Sequence, residues 1–425
     1  MKILINFASK LGVDTVSRLI GFLTLPLITR ALGPDGYGQF TYLFIILSYF
    51  GFFIDFGYLN YGTNKLCEKD GNENVISKII SLQIITAFFS YIILVVVAYF
   101  FLDTEKYILL LIFSLTFITQ IFSIKYYYLA KNKLYYNSIS EFAGQAVYAA
   151  LVFTVFVAKP EVITLIILTI FQTGVTALFL IIPFIKKQKL KLDFSLKNNL
   201  KTLKEAYKLG LASKAEAVTA TFIILCLGFF LNEESVGIYN ASYKIYLIML
   251  TVVQGMSFAL MPKLLRNVKD KNKNNVSKIS FIFYVFLSLG IVLSLSMFLF
   301  ADTIIMLMFG SKFFESVLIL KCFSITIFLM PLWMFFGLVI LAYNRYNYLL
   351  VVSVSSTIFS ILLSVTLINI YGVMGSGFVL PLVAFLTIFV CLYFIIKISK
   401  NENFLPRQIF SFNSAFNEMK NLFKK

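Results

Sequence analysis

Leu129-Ala130-Lys131-Asn132-Lys133-Leu134-Tyr135-Tyr136 returns 212 residues later as Leu341-Ala342-Tyr343-Asn344-Arg345-Tyr346-Asn347-Tyr348. Both stretches fit L-A-x-N-[KR]-x-x-Y. A second pair precedes them: Leu32-Gly33-Pro34-Asp35-Gly36-Tyr37-Gly38-Gln39-Phe40 parallels Leu231-Asn232-Glu233-Glu234-Ser235-Val236-Gly237-Ile238-Tyr239 at an offset of 199 residues. The 13 residues separating the two offsets are a modest insertion. Two matches in the same order mark an internal duplication, with each copy about half of the chain.

What is duplicated follows from composition. Of 425 residues, 60% are hydrophobic and only 13% charged, against about 45–50% and about 25% in a soluble domain. Such a chain belongs in a bilayer, where a crossing helix needs about 20 apolar residues. Twelve windows qualify: 11–33, 38–59, 79–101, 107–129, 137–158, 162–185, 207–231, 236–260, 279–300, 317–342, 346–370 and 373–396. The first is no cleavable signal peptide, because it carries Asp14 and Arg18 and ends in Arg30 without a small-residue cleavage site. The expected fold is therefore all-α and polytopic, with two pseudo-symmetric six-helix bundles. Residues 1–185 form the N-terminal lobe, 186–206 a basic cytoplasmic linker, 207–396 the C-terminal lobe, and 397–425 an amphipathic cytoplasmic tail. Six is even, so both halves enter from the same face, and the axis relating them runs along the membrane normal. That geometry predicts a cleft between lobes whose rocking alternates access.

Basic residues set the orientation. With a cytoplasmic N-terminus, 29 of the 37 Lys and Arg fall on the inside and five outside: Arg30, Lys106, Lys159, Lys312 and Lys321. Arg18, Lys214 and Lys244 lie in spans. This bias accounts for the net charge of +17 through anionic inner-leaflet lipid, without a nucleic-acid partner. The absence of histidine removes His-ligated metals, Ser-His-Asp triads and histidine relays. Cys67, Cys226, Cys322 and Cys391 are scattered without a CxxC pair, and no GxxxxGK[ST] phosphate loop occurs. No cofactor and no enzymatic activity are expected; a transporter, channel or scaffold is.

Further residues carry a resemblance. The first span reads Ser17-Arg18-Leu19-Ile20-Gly21-Phe22-Leu23-Thr24-Leu25-Pro26-Leu27-Ile28-Thr29-Arg30-Ala31-Leu32-Gly33, then Tyr37-Gly38. The second closes Asp55-Phe56-Gly57-Tyr58-Leu59-Asn60, and the eighth ends Ala259-Leu260-Met261-Pro262. This order resembles the bacterial polysaccharide flippases for O-antigen, capsule or exopolysaccharide repeat units, a branch of the multidrug/oligosaccharidyl-lipid/polysaccharide exporter superfamily. The resemblance covers about residues 1–400. It implies an inner-membrane flippase that moves undecaprenyl-pyrophosphate-linked oligosaccharide from the inner to the outer leaflet through a cationic cleft, driven by H+ or Na+. Membrane lipids and a polysaccharide polymerase are the implied partners.

Charges in spans are costly and functional by default. Arg18 and Lys214 lie at similar depth on spans one and seven, and Lys244 lies nearer the outer side; all three are candidates for the pyrophosphate, Arg as a bidentate partner and Lys as a point charge. Asp14, Glu216 and Asp55 are read as the acids of the spans, for ion coupling or internal pairing. The competing readings stay open: Asp14 pairs Arg18 four residues on, Lys214 pairs Glu216 or snorkels, and Asp55 is interfacial. Tyr126-Tyr127-Tyr128 and Tyr135-Tyr136 read as an aromatic belt, and Pro26 and Pro331 as bending points. In the tail, Leu405, Ile409, Phe412, Phe416, Met419 and Phe423 form one helical stripe suited to the membrane surface. Two rivals remain: a cation-coupled drug or amphiphile exporter of the same superfamily, and a scaffold for envelope assembly that transports nothing. A peptidoglycan-precursor flippase fits less well, since those chains follow a fourteen-span pattern.

Overall fold

The computed structural model describes residues 2–402 apart from 69–73, 188–191, 193 and 270–272. The tail stripe from Leu405 to Phe423 lies outside these residues. Helices α1 (Lys2–Ile54), α2 (Tyr58–Cys67), α3 (Asn74–Phe101), α4 (Thr104–Phe113), α5 (Thr116–Ile121), α6 (Lys125–Ala130), α7 (Leu134–Leu151) and α8 (Val162–Ile185) make up most of the first half. Then follow α9 (Leu196–Phe230), α10 (Glu233–Lys269), α11 (Lys273–Leu299), α12 (Ala301–Met308), α13 (Ser316–Ala342) and α14 (Tyr346–Glu402). No strand occurs among the described residues.

Nine described segments are long and apolar enough to cross a bilayer. Two of them, Leu19–Cys67 with 49 residues and Tyr346–Ser399 with 54, run to more than twice the ~30 Å hydrocarbon thickness at about 1.5 Å per residue. Each is broken near its middle by glycine, at Gly33 (φ 70°, ψ −178°) and Gly372 (φ 59°, ψ −141°), and the first breaks again at Gly57 (φ 84°, ψ 10°) between α1 and α2. Side chains with a Cβ avoid this backbone region. Each therefore supplies two crossings. The nine segments thus supply eleven crossings among the described residues, and α9, whose apolar stretch is described over Thr221–Phe230, lies where the sequence places the seventh of its twelve. Pro26 lies inside α1 without a backbone break, and the break in this helix is at Gly33.

The chain divides into two compact units, Met1–Lys214 and Ala215–Lys425, and α9 starts at Leu196 within the basic segment 186–206. In unit 1, Leu43, Ile76, Ile79, Leu110, Phe113 and Leu180 form a buried core between α1, α3, α4 and α8. In unit 2, Phe283, Phe286, Phe335 and Phe336 pack edge to face and stacked, with centroids 5.3–6.4 Å apart, the geometries that ring quadrupoles favour. The outer surface carries large apolar side chains such as Phe88, Phe100, Phe258 and Leu307, as a lipid-facing surface should.

The repeat is written into the backbone. Asn132 (φ 53°) and Asn344 (φ 56°), the asparagines of the two L-A-x-N motifs, are the only positive-φ residues other than glycine among those described. Lys133 N–H donates to Tyr128 O (2.8 Å) and Asn132 N–H to Leu129 O (3.1 Å); Arg345 N–H donates to Ile340 O (3.4 Å) and Asn344 N–H to Leu341 O (2.9 Å). These are two Schellman caps with asparagine in the left-handed position, and every partner shifts by the same 212 residues. The other matched pair also lies at helix junctions. Pro34 follows the Gly33 break, and Asn232 Oδ1 accepts from Ser235 N–H (2.9 Å) and Oγ (2.7 Å) to cap α10.

The tyrosines at 126–128 are not an exposed belt. Tyr126, Tyr127 and Tyr128 are buried, Tyr128 Oη donates to Leu180 O at 2.7 Å, and Tyr127 meets Phe184 edge to face. The reason is tertiary and invisible to periodicity: α6 is short and packs between α2 and α7, where its three tyrosines are buried. Tyr135 remains exposed.

Candidate functional site

The fourth span of unit 1 is broken into α4, α5 and α6, and the breaks make a site. Hydroxyls accommodate the interruption: Ser114 Oγ donates to Leu111 O (2.6 Å), Thr116 Oγ1 to Phe113 O (2.9 Å) and Thr119 Oγ1 to Thr116 O (2.8 Å). Broken backbone at membrane depth is tolerated where such groups satisfy it or where it lines a cavity. After α5 the chain turns through Ser123 and Ile124, and Lys125 opens α6 with its carbonyl accepting from Asn137 Nδ2 (3.2 Å).

Beside this break lies a cavity of about 490 Å3. Ser17 and Gly21 of α1, Thr119 and Gln120 of α5, Ser123 and Lys125, Glu141 and Gln145 of α7, and Gln172, Thr173 and Thr176 of α8 line it, together with Ala177. Lys125 Nζ pairs with Glu141 Oε1 at 2.8 Å, and Gln172 Nε2 donates to Gln145 Oε1 at 2.7 Å. Two glycines make room for the amides. A Cβ at Gly21 would lie 3.0 Å from Gln145 Nε2, and one at Gly51 would lie 3.1 Å from both polar atoms of Gln120. Gly144 has a similar role in packing: a Cβ there would collide with Thr176 Oγ1, which fixes the close approach of α7 and α8. The described lining is polar but carries no net charge, since its one ammonium faces its one carboxylate.

Unit 2 holds a cavity of different character, about 540 Å3, lined by Tyr243, Tyr246, Phe258, Met330, Trp333 and Met334 among others. Gln254 and the hydroxyl residues Thr219, Ser257, Thr326, Ser353, Ser356 and Thr387 also line it. Ser257 Oγ donates to Met334 Sδ (3.2 Å), and Thr326 Oγ1 is buried without a hydrogen-bond partner.

Among the residues singled out from sequence, Lys244 has the clearest setting. It is exposed on α10, about 17 Å along the helix from Glu233 at 1.5 Å per residue, and no acid pairs with it among the described residues. Ile248, Thr251, Gly255 and Ala259 continue the same exposed face. Asp55 is exposed in the turn between α1 and α2, where its carbonyl accepts from Gly57 N–H (2.7 Å). Asp14 and Arg18 lie on α1, and Lys214 and Glu216 on α9; their side chains fall outside the described part of the structure. Ser17, next to Arg18, does line the unit 1 cavity.

The structure corrects two assignments. Lys125, counted with the basic loop residues, lines the cavity, and Glu141, absent from the inventory of acids in spans, lies in the span Leu134–Phe156 and pairs with it. The available signal was the glutamines: Gln120, Gln145 and Gln172 are isolated amides in apolar windows, one in each of three spans. Among the described residues no group of three or more Cys, Asp or Glu is placed to hold a metal.

Residues 3–268 match the family described as "Polysaccharide biosynthesis protein". An Escherichia coli (strain K12) protein named "Putative O-antigen transporter" is 20% identical over 373 residues, 85% of this chain and 89% of its own length. Among solved structures, "Lipid II flippase MurJ, inward closed conformation" aligns with a TM-score of 0.73 at 15% identity, covering 97% of this chain and 91% of the other. An inward-facing multidrug resistance MATE family transporter of the MOP superfamily aligns with a TM-score of 0.69 at 13% identity, covering 92% and 99%. At these identities the structural likeness is one of fold, and it spans both units. With well over half of its length matched, from residue 3 to residue 268, the chain belongs to the polysaccharide biosynthesis protein family, on the fold shared by MurJ and the MATE transporters.

Proposed function

We propose that this protein is a flippase that carries undecaprenyl-pyrophosphate-linked oligosaccharide repeat units from the inner to the outer leaflet. The observation that carries the proposal is the polar, amide-lined cavity built among apolar spans in a chain of this family. A bilayer protein keeps buried polar groups where a polar solute passes or binds, and the name of the Escherichia coli relative supports a glycan cargo. The fold supports alternating access between two units, as a transporter and not an enzyme. Arg18, Lys214 and Lys244 are the cations assigned to the pyrophosphate; Asp14, Glu216 and Asp55 remain the acids assigned to H+ or Na+ coupling or to internal pairing. The 29-to-5 partition of basic residues supports both termini on the cytoplasmic side of the inner membrane, next to the polymerase that would use the cargo.

The aromatic cavity of unit 2 favours a second reading, export of an apolar amphiphile. One experiment separates the two. In cells that make the polymer, loss of this protein is expected to leave the lipid-linked repeat units on the inner leaflet and to abolish polymer. Normal polymer, with repeat units still reaching the outer leaflet, would overturn the flippase reading.

A further inference from the structure

We infer that the unit 1 cavity is a sugar-reading subsite for an uncharged residue of the cargo glycan, with Gln145 and Gln172 as its specificity-determining pair. The inference rests on the flippase reading for the identity of the cargo, and on the cavity for its chemistry. The lining excludes the alternatives one by one. A pyrophosphate or an acidic sugar needs net positive charge, and among the described lining residues Glu141 cancels Lys125 at 2.8 Å. A cation finds the one carboxylate of the described lining already taken. A flat apolar drug finds no aromatic side chain among the described lining residues. What remains is a neutral, hydroxyl-bearing solute.

The cavity matches such a solute in size and in donors. Its volume of about 490 Å3 is within the range of about 300–1,000 Å3 common for small-ligand sites. The Gln172-to-Gln145 bond uses one donor and one acceptor, which leaves Gln145 Nε2 to donate and Gln172 Oε1 to accept. That pairing reads a hydroxyl in both of its roles. Thr173 and Thr176 send their own protons to backbone carbonyls of α8 at 3.0–3.1 Å, so their oxygens face the cavity as acceptors. Discrimination follows, because a sugar lacking the matching hydroxyl leaves these half-buried amide groups unpaired. Gly21 is a positioning residue: a Cβ there presses on the far end of the Gln145 side chain, displacing the amide at little cost to the fold.

The test uses the full chain in lipid nanodiscs and saturation-transfer NMR. The probes are free disaccharides of hexose, 6-deoxyhexose and N-acetylhexosamine types, with glucuronic acid as the acidic counterpart. Contact with at least one neutral sugar, weakened tenfold or more by Gln145→Leu and by Gln172→Leu and partly by Gly21→Ala, is the expected result. Contact with none of the neutral sugars, a preference for glucuronic acid, or contact indifferent to all three substitutions would overturn it. Transbilayer movement of a pyrophosphate-linked oligosaccharide separates this from the larger reading. Movement unchanged in Gln145→Leu and Gln172→Leu overturns the subsite and leaves the flippase standing, whereas sugar contact without movement by the wild type overturns the flippase alone.

Discussion

Asn132 and Asn344 show how much a single side chain settles. Each holds the left-handed position of a Schellman cap, a conformation that costs most residues about 1–2 kcal/mol and glycine nothing. Asn132→Gly and Asn344→Gly should therefore melt close to wild type in detergent, and Asn132→Val should lose about 1–2 kcal/mol; equal melting of the Gly and Val variants would count against the cap. Lys244 makes a different demand. An exposed ammonium without an acid partner partway along an apolar span is expensive, and the proposed function assigns it to the cargo. Lys244→Ala is predicted to slow transport about ten- to a hundredfold, the value of one charge-assisted hydrogen bond of about 1.5–3 kcal/mol, with Lys244→Arg retaining most activity; initial flipping rates decide this. In unit 2, Lys321 Nζ lies 2.8 Å from Asp302 and holds that carboxyl below its ordinary value of 3.8. A depressed acid contributes stability above its unfolded pKa and loses it as pH falls through the folded value. Hydrogen-exchange protection of α12 should thus drop below about pH 3.8 in the wild type, while Asp302→Asn should show the unprotected level throughout.

At the scale of elements, the breaks carry the information. Gly372 has open space where a Cβ would go, whereas a Cβ at Gly375 would collide with the carbonyl oxygen of Leu367. Gly372→Ala should destabilise through backbone conformation alone, by about 1–3 kcal/mol, and Gly375→Ala by steric conflict between the two halves of α14. The thermal midpoints of the two variants check this, with Gly375→Ala the larger loss, because the obstructing atoms belong to the backbone at Leu367 and Ile368 and no side-chain change relieves them. Much of this architecture was legible beforehand. Hydropathy counts spans well because every crossing must be a helix, and the Gly33 and Gly372 turns lie at the gaps between windows. The broken fourth span was less legible, since α4, α5 and α6 together read as one apolar run. Lys125 sits at the edge of that run, so it was counted with the loop, and only the turn at Ser123–Ile124 carries it toward Glu141.

For the molecule as a whole, the duplication explains why two units exist, and divergence explains why they differ. The caps at Asn132 and Asn344 are superimposable in hydrogen-bond pattern, yet unit 1 has a polar cavity and unit 2 an aromatic one. Sequence periodicity shows the first fact and hides the second, because Gln120, Gln145 and Gln172 come from three spans and meet only in three dimensions. The most direct test of this account is transbilayer movement of a fluorescent undecaprenyl-pyrophosphate oligosaccharide in proteoliposomes under H+ and Na+ gradients, with wild type beside Arg18→Ala and Lys214→Ala. The account predicts gradient-dependent movement by the wild type and at least tenfold slower movement by both variants. No movement of any pyrophosphate-linked glycan under either gradient would contradict it.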